Sequence, residues 1–388
     1  MKNIYKLAIT IILPLMLLNT AIPAEESKLV QQNSIKDKNV LAKEYSNIGS
    51  SFLRLKKYQE SIENFDIAIE NFDIAIKYDP SYASAYNSKG IALDDLGKLL
   101  EAIENYNLAI KHKPDFAEAY NNKAVSYEKL GKDKEAIIFY DLAIKYKPNF
   151  AKAYNNKGAA LNTLGQYEDA MENFDIAIRY NSSYPEAYYN KGIALMNLGY
   201  IQNAIENYDI AIKYRPDYAE AYINKGLILA FLGQLQNAIE HFDLAIKYDP
   251  SCVKSHCNKG YVLSLLKRYS EAVESCNLAI KYDPNCADIY YNKGMIFEKL
   301  GKHQEAVENY DIAIKYKPNF AENYLEKGIS LVSLGQYSKA KENFNLAIKY
   351  MPNIIAEYEA TIKRLTEFEN FTIAKDYEQK LQILKKYS

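Results

Sequence analysis

Hydrophobic residues along most of the chain follow the pattern of paired amphipathic helices. In residues 287–320, apolar residues lie three and four positions apart within each half, which is the spacing of one helical face. A glycine separates the two halves and a proline follows the second half. Near-copies of this segment recur every 34 residues from about residue 42 to residue 354. A repeat of this length predicts a solenoid of stacked helix pairs.

Small and aromatic residues occupy fixed positions of the repeat. Counting from Ala287 as position 1, aromatic residues recur at positions 4 and 24, Gly at position 8, Ala at positions 20 and 27, and Pro at position 32. We expect the small residues to let the two helices of a pair approach closely, with the ring of position 24 between them. Asp115 precedes Glu118 by three residues, as Asp217 precedes Glu220, which predicts a capping box at the start of the first helix.

These positions together resemble the tetratricopeptide repeat (TPR). The resemblance implies an all-α, right-handed superhelical solenoid of helix-turn-helix TPR units, whose first helices line a concave groove. Nine repeats fit residues 42–354, and residues 355–388 fit a degenerate capping repeat. Position 7 departs from the family pattern, because it is Lys in most units instead of Leu. We expect its aliphatic stem to cover apolar surface while the ammonium group reaches water.

The first repeat contains an insertion of seven residues, because ENFDIAI occurs twice in succession, at 63–69 and 70–76. Seven residues make about two helical turns, so the apolar face keeps its direction. The sequence therefore predicts one long second helix over residues 59–78.

The N-terminus differs from the repeats. Lys2 and Lys6 precede an apolar run, and small residues end at Ala24. This order is typical of a secretory signal. We expect residues 1–24 to be a signal peptide and residues 25–41 a linker, so that the protein is exported to the periplasm or secreted. An uncleaved N-terminal anchor is the alternative.

Composition restricts the possible partners. Lys and Arg number 48 against 49 acidic residues, so no global charge favours nucleic acid or, after signal cleavage, a membrane. The repeats leave no room for a separate catalytic domain, and no motif indicates a catalytic site, a metal site or a cofactor. We therefore expect a non-enzymatic scaffold that binds a protein or peptide; the oligomeric state does not follow from the sequence.

The expected groove offers amides and apolar side chains. Asn fills position 6 in seven units, and an amide can donate to and accept from a peptide backbone. The middle units add apolar residues, which group as interaction sites do. The predicted binding residues are Asn47, Asn122, Asn156, Asn190, Asn224, Asn258, Asn292, Tyr189, Ile193, Ile223, Leu227, Phe231 and Tyr261.

Two alternatives remain open. All four cysteines lie between Cys252 and Cys286, in and beside the seventh repeat, where His256 and Cys276 replace the usual aromatic residues. This grouping allows a metal-binding or thiol-redox module. The second alternative is a purely structural spacer that binds nothing in its groove.

Overall fold

The computed structural model describes residues 38–51, 61–367 and 371–387. The expected signal peptide, and the expected linker up to residue 37, lie outside the described residues. Residues 38–41, which we assigned to the linker, are helical.

The described residues form twenty α-helices, and the all-α architecture is confirmed. Helix α1 comprises residues 38–51. The others are α2 (Ser61–Tyr78), α3 (Ala83–Asp95), α4 (Leu99–His112), α5 (Ala117–Lys129), α6 (Asp133–Tyr146), α7 (Ala151–Thr163), α8 (Tyr167–Tyr180), α9 (Pro185–Asn197), α10 (Ile201–Tyr214), α11 (Ala219–Phe231), α12 (Leu235–Tyr248), α13 (Val253–Leu265), α14 (Tyr269–Tyr282), α15 (Ala287–Lys299), α16 (His303–Tyr316), α17 (Ala321–Ser333), α18 (Tyr337–Tyr350), α19 (Ile354–Glu367) and α20 (Phe371–Tyr387). Odd-numbered helices are the first helices of the pairs. The chain divides into two compact units, residues 1–160 and residues 161–388.

Most pairs close over the glycine of position 8, as predicted, and the pair of α5 and α6 has Ala124 there. A methyl group added at Gly294 would lie 2.6 Å from the ring of Tyr310, and one at Gly226 would lie 2.7 Å from Phe242. Both rings are fully buried. A larger residue at Gly226 or Gly294 would therefore displace the ring or the helix that carries it.

The turns within the pairs use left-handed backbone. Gly97 has φ of 75°, and its counterparts in most pairs are also glycines with positive φ. Lys267 occupies this place in the seventh pair with φ of 61°, a conformation that costs a side-chain-bearing residue about 1 kcal/mol.

The predicted capping boxes are wrong. Helix α5 begins after Phe116, and α11 begins after Tyr218, without a side-chain cap in either case. The carbonyl oxygens of these aromatic residues accept from the first turn of the helix, at 3.0 Å for Ala119 and 3.1 Å for Ala221. Backbone groups of the preceding turn thus take the place that we gave to Asp115 and Asp217.

The duplicated segment forms one helix within the described residues. Helix α2 runs from Ser61 to Tyr78 without a break, and residues 59 and 60 lie outside the description. The second copy supplies Phe72, whose ring lies 2.8 Å from a methyl group added at Gly49. Phe65 of the first copy is also buried, so both copies face the core.

Ion pairs join successive helix pairs. In six of these joints the Lys of position 7 reaches an Asp that lies 16 residues earlier, on the second helix of the preceding pair, whereas Lys293 donates to Asn277. Lys157 lies 2.7 Å from Asp141, and Lys327 lies 2.6 Å from Asp311. We expected these ammonium groups to reach water. In the structure they contact carboxylates instead. The other pairs of this kind are Lys89–Asp73, Lys191–Asp175, Lys225–Asp209 and Lys259–Asp243.

The last two helices form a pair that differs from the others. Tyr358 of α19 and Tyr377 of α20 have ring centroids 4.9 Å apart. Helix α20 also reaches α18, where Tyr337 stacks on Tyr387 at 5.9 Å, and it reaches first helices of earlier pairs.

Within the described residues, no helix is both long and apolar enough to cross a membrane.

Candidate functional site: the first-helix face

The first-helix face is the surface formed, within each compact unit, by positions 5, 6, 9, 12 and 13 of the odd-numbered helices. In the unit of residues 1–160 this face contains a ladder of asparagine amides. Asn122 Nδ2 donates to Asn87 Oδ1 at 3.1 Å, and Asn156 Nδ2 donates to Asn121 Oδ1 at 3.2 Å. Asn121 also donates to Asn122 at 3.3 Å. The amides thus link one helix pair to the next.

Position 6 makes the same link in the unit of residues 161–388, with different acceptors. Asn224 donates to the hydroxyl oxygen of Tyr189 at 3.1 Å, and Asn292 donates to Cys257 Sγ at 3.0 Å. In each case the acceptor is position 5 of the preceding pair. Each of these amides therefore donates one N–H group to an acceptor inside the protein. A primary amide also has a second N–H group.

The three remaining predicted asparagines each have a different environment. Asn47 is exposed on α1, and Asn258 lines a cavity in the second unit. The backbone carbonyl of Asn190 accepts from Asn162 Nδ2 at 3.2 Å.

The predicted apolar group is divided between surface and core. Leu227 is 43% exposed, whereas Tyr189, Ile193, Phe231 and Tyr261 are half-buried. Ile223 is 6% exposed and belongs to the hydrophobic core, so its assignment as a surface binding residue is wrong. Position 5 faces the next helix pair, and a large apolar side chain there is covered by its neighbours. Leu227 and Tyr261 are the predicted apolar residues that line one common cavity.

That cavity has a volume of about 590 Å³ and opens on the first-helix face of the second unit. Its wall is formed by first helices α11 to α19 and by α20. The lining combines tyrosines, carboxylates and two lysines with apolar side chains: Leu227, Asn258, Tyr261, Ser264, Leu265, Tyr291, Asn292, Met295, Glu298, Lys299, Glu322, Glu326, Ile329, Ser333, Tyr358, Asp376, Tyr377, Gln379, Lys380 and Ile383. Such a wall can contact both apolar and charged groups of a ligand.

Two ion pairs fix α20 on this face. Lys380 Nζ lies 2.7 Å from Glu326 Oε1 and 2.9 Å from Asp376 Oδ2. Asp376 also pairs with Lys299 at the end of α15. Burial disfavours the charged form of Lys380, yet Glu326 raises its pKa well above the usual value. Burial acts against the carboxylate of Asp376 in the same way, but Lys380 and Lys299 lower its pKa. Lys380 and Asp376 therefore favour their charged forms, whereas burial raises the pKa of the Glu326 carboxyl, an effect that Lys380 opposes.

Sequence reasoning missed this cluster, although a signal was present. Glu326 stands at position 6, where the sequence has Asn in seven units, and Lys380 lies in the tail where the repeat pattern decays. An acid that replaces the usual amide in the last repeat predicts a cationic neighbour. The position of that neighbour did not follow from the sequence.

Tetratricopeptide repeat models match most of the chain. The matches described as "Tetratricopeptide repeat" cover residues 48–111, 117–150, 139–172, 189–251, 253–286, 287–320 and 321–354. Those described as "TPR repeat" cover residues 92–131 and 160–199. The chain belongs to the tetratricopeptide repeat family. A comparison with curated proteins returned no match.

Solved structures similar to this TPR chain include several bacterial proteins. A tetratricopeptide repeat protein from Parabacteroides merdae is 17% identical with a TM-score of 0.50, over 64% of this chain and 98% of that one. The pilF protein of Pseudomonas aeruginosa is 18% identical with a TM-score of 0.49, over 54% of this chain and 96% of that one. YrrB, described as a TPR protein with an unusual peptide-binding site, is 24% identical with a TM-score of 0.39, over 49% and 98%. The first of these likenesses supports the TPR fold and nothing finer.

The seventh TPR pair does not gather the groups of a metal site. Within the described residues, no three His, Cys, Asp or Glu side chains are grouped so that they could hold a metal ion. His256 donates from Nε2 to the carbonyl oxygen of Pro250 at 2.9 Å, the bond that Tyr222 makes to Pro216 at 3.1 Å in the sixth pair. His256 therefore replaces a structural tyrosine.

Two cysteines of this pair, Cys257 and Cys276, are poor nucleophiles. Burial raises the pKa of the Cys257 thiol and of the Cys276 thiol to about 12. Thiols with such values are almost fully protonated at neutral pH, whereas thiol-disulfide exchange requires the thiolate. Cys276 instead packs as a small core residue beside Gly260, 3.2 Å from a methyl group added there. The redox alternative gains no support from this geometry.

One carboxyl group in the first unit titrates near neutral pH. Glu128 is partly buried on α5, and the hydroxyl of Tyr140 donates to its Oε2. Burial raises the pKa of Glu128 to about 7. A raised carboxyl pKa can indicate a functional site, but this group lies against the buried ring of its own helix pair. We interpret it as a structural contact.

Proposed function

We propose that this TPR chain is a non-enzymatic scaffold that binds a segment of another protein on the first-helix face of residues 219–333. TPR proteins in general mediate protein interactions, which is the broad function that family membership supports. The finer proposal places the binding surface at Leu227, Tyr261 and the cavity beside them. It does not involve the cysteines of the seventh pair.

One observation supports this choice above the rest. The cavity of about 590 Å³ lies against first helices, and Leu227 at its margin leaves 43% of its surface exposed. Burying such a leucine against a partner would contribute about 1 kcal/mol from its apolar area. Tyrosine hydroxyls and carboxylates around it would determine which partner fits.

The experiment compares Leu227→Asp with Leu278→Asp. Leu278 lies on the second helix α14 and is 40% exposed, so the two substitutions place the same charge at equally exposed leucines. Proteins that bind the wild-type chain are recovered from the native compartment and quantified by mass spectrometry. We expect Leu227→Asp to lose at least 90% of the bound partner and Leu278→Asp to retain it. Equal retention by both variants would favour the structural spacer.

We also propose that the protein is exported through residues 1–24. The support is the order of charged, apolar and small residues before Glu25. Mass spectrometry of the mature N-terminus tests the proposal, with Glu25 expected as the first residue. A cytoplasmic chain that retains Met1 would contradict it.

A further inference from the structure

Helix α20 lies on the first-helix face of the unit of residues 161–388. Its Lys380 contacts Glu326 of α17, and its Asp376 pairs with Lys299 of α15. A second helix in the repeats packs on its own first helix and on the neighbouring pair. Helix α20 shares this packing through Leu381 and Leu384, which are buried in one core cluster with Phe344, and in addition it extends onto the first-helix face of two earlier pairs through Asp376 and Lys380.

The fit of α20 to this face is incomplete. The cavity of about 590 Å³ remains between α20 and the first helices, with Tyr261 and Met295 in its wall. Glu322 Oε2, from a residue of the cavity wall on α17, is also buried without a hydrogen-bond partner. A buried polar atom without a partner destabilises the state that contains it. A helix that filled the cavity and donated to Glu322 would therefore add contacts that α20 does not make.

We propose that α20 is a resident occupant of the first-helix face which a helix of a partner protein displaces. The proposal rests on the function proposed above and adds the chemistry of the partner. The partner helix has an acid followed four residues later by Lys, so that the acid meets Lys299 and the Lys meets Glu326. It also has bulky apolar side chains that enter the cavity at Leu227 and Met295.

Charge complementarity favours this occupant over an extended peptide. Lys299 and Glu326 offer one positive and one buried negative group, 27 positions apart in sequence, and α20 matches them with residues 376 and 380. Residues four apart lie on one face of a helix but are separated by about 13 Å in an extended strand. A helical partner therefore presents both charges at the spacing that this face already accepts.

The test uses the full chain and labelled synthetic peptides of residues 371–388. Lys380→Glu in the chain places a carboxylate against Glu326 and should release α20. Lys375→Glu makes the same charge change on the exposed side of α20 and is the matched control. Fluorescence anisotropy measures peptide binding, and hydrogen exchange measures whether α20 remains on the face.

We expect the Lys380→Glu chain to bind the wild-type peptide at least tenfold more tightly than the wild-type chain or the Lys375→Glu chain does. A peptide with Lys380→Glu should bind at least tenfold more weakly than the wild-type peptide, and one with Lys375→Glu should bind equally well. Hydrogen exchange should rise in α20 of the Lys380→Glu chain and stay unchanged in α3 to α6.

Several results would overturn the proposal. They are unchanged exchange of α20 in the Lys380→Glu chain, equal peptide binding by all chains, or no peptide binding after α20 is released. If Lys380→Glu unfolds α17, the milder Lys380→Gln replaces it, with at least a threefold gain expected and no gain counting against the proposal. A wild-type dimer that dissociates with Lys380→Glu would identify a second copy as the occupant and also overturn it. Loss of partner by Leu227→Asp would leave the broader function standing in every case.

Discussion

The first-helix faces of residues 83–156 and of residues 287–383 use the same repeat position in two ways. In the first region, Asn122 and Asn156 bond to the preceding pair and form a ladder of neutral amides. In the second region, Glu326 replaces the amide and meets Lys380 of a distant helix. The same repeat position thus links neighbouring helix pairs through amides in the first region and binds helix α20 through charged groups in the second.

The difference shows that position 6 determines what a repeat offers on this face. An amide at position 6 forms its hydrogen bond with the neighbouring pair. A buried carboxylate at position 6 requires a cation from another part of the chain. A change of one residue per repeat therefore decides between an internal joint and a docking contact.

The largest effect is expected from removing the buried charge of the second region. Glu326→Gln leaves the ammonium group of Lys380 with Asp376 as its remaining carboxylate, and we expect a loss of about 3 kcal/mol in the opening free energy of α17. Native-state hydrogen exchange measures it. Glu359→Gln breaks an exposed pair with Lys385 at 2.7 Å and should cost less than about 1 kcal/mol. Equal losses would remove the distinction between docking and surface pairs.

The next effect is expected in the first region, where the opening free energy of α5 should depend on pH. The pKa of Glu128 is raised to about 7 from 4.5, so the folded state holds this proton more tightly than the unfolded state. Its contribution to stability is full below pH 4.5 and is lost as the pH rises through 7, on the order of 3 kcal/mol in all. Glu128→Gln should flatten this pH dependence of the opening free energy of α5, and Glu104→Gln on α4 should retain it. A wild-type profile without such a fall would refute the assignment.

Breaking the amide ladder should lower the opening free energy by a smaller amount. Asn122→Ala removes one donor and one acceptor of the ladder, and we expect the opening free energy of α5 to fall by about 1 to 1.5 kcal/mol. Asn105 donates to a carbonyl of its own helix, so Asn105→Ala removes an amide without breaking a joint and should cost less than about 0.5 kcal/mol. Similar costs would mean that the ladder adds no coupling between pairs.

The smallest effect is expected for the Lys–Asp pairs that both regions share. Lys157→Met and Lys327→Met keep the aliphatic stem and remove the ammonium group from Asp141 and Asp311. The carboxylates are 54% exposed in both pairs, so each substitution should cost about 0.5 kcal/mol at low salt and almost nothing at 1 M salt. A cost that differs between the two regions, measured by urea unfolding, would contradict this equivalence.

Much of the fold follows from the spacing of small and aromatic residues. Gly226 and Phe242 fix how two helices of a pair approach, and the same spacing recurs in other pairs. The place of α20 did not follow, because residues 371–387 have lost the glycine and proline that mark a repeat. The burial of Ile223 did not follow either, since position 5 was interpreted within its own unit and not against the next one.

The placement of two predicted residues follows for the same reason. Leu227 and Tyr261 do line one cavity, because positions 9 of successive first helices lie side by side. The bond from Asn224 to Tyr189 joins residues 35 apart, and reading position 6 against position 5 of the preceding repeat would have found it. The pairing of Glu326 with Lys380 follows no repeat period and required the structure.

The Lys–Asp pairs between helix pairs have a consequence for how the gene can change. Each such joint has the same two residues 16 positions apart, so it does not depend on which two units it connects. Asn107 and Asn277 replace this Asp in two units, and Lys293 contacts Asn277 there. Recombination that removes or adds one 34-residue unit with Lys–Asp joints on both sides would recreate a matched joint and leave no charge without its counterpart. Interior units can therefore be gained or lost over evolution, whereas the unit that bears Glu326 must stay beside the tail that bears Lys380.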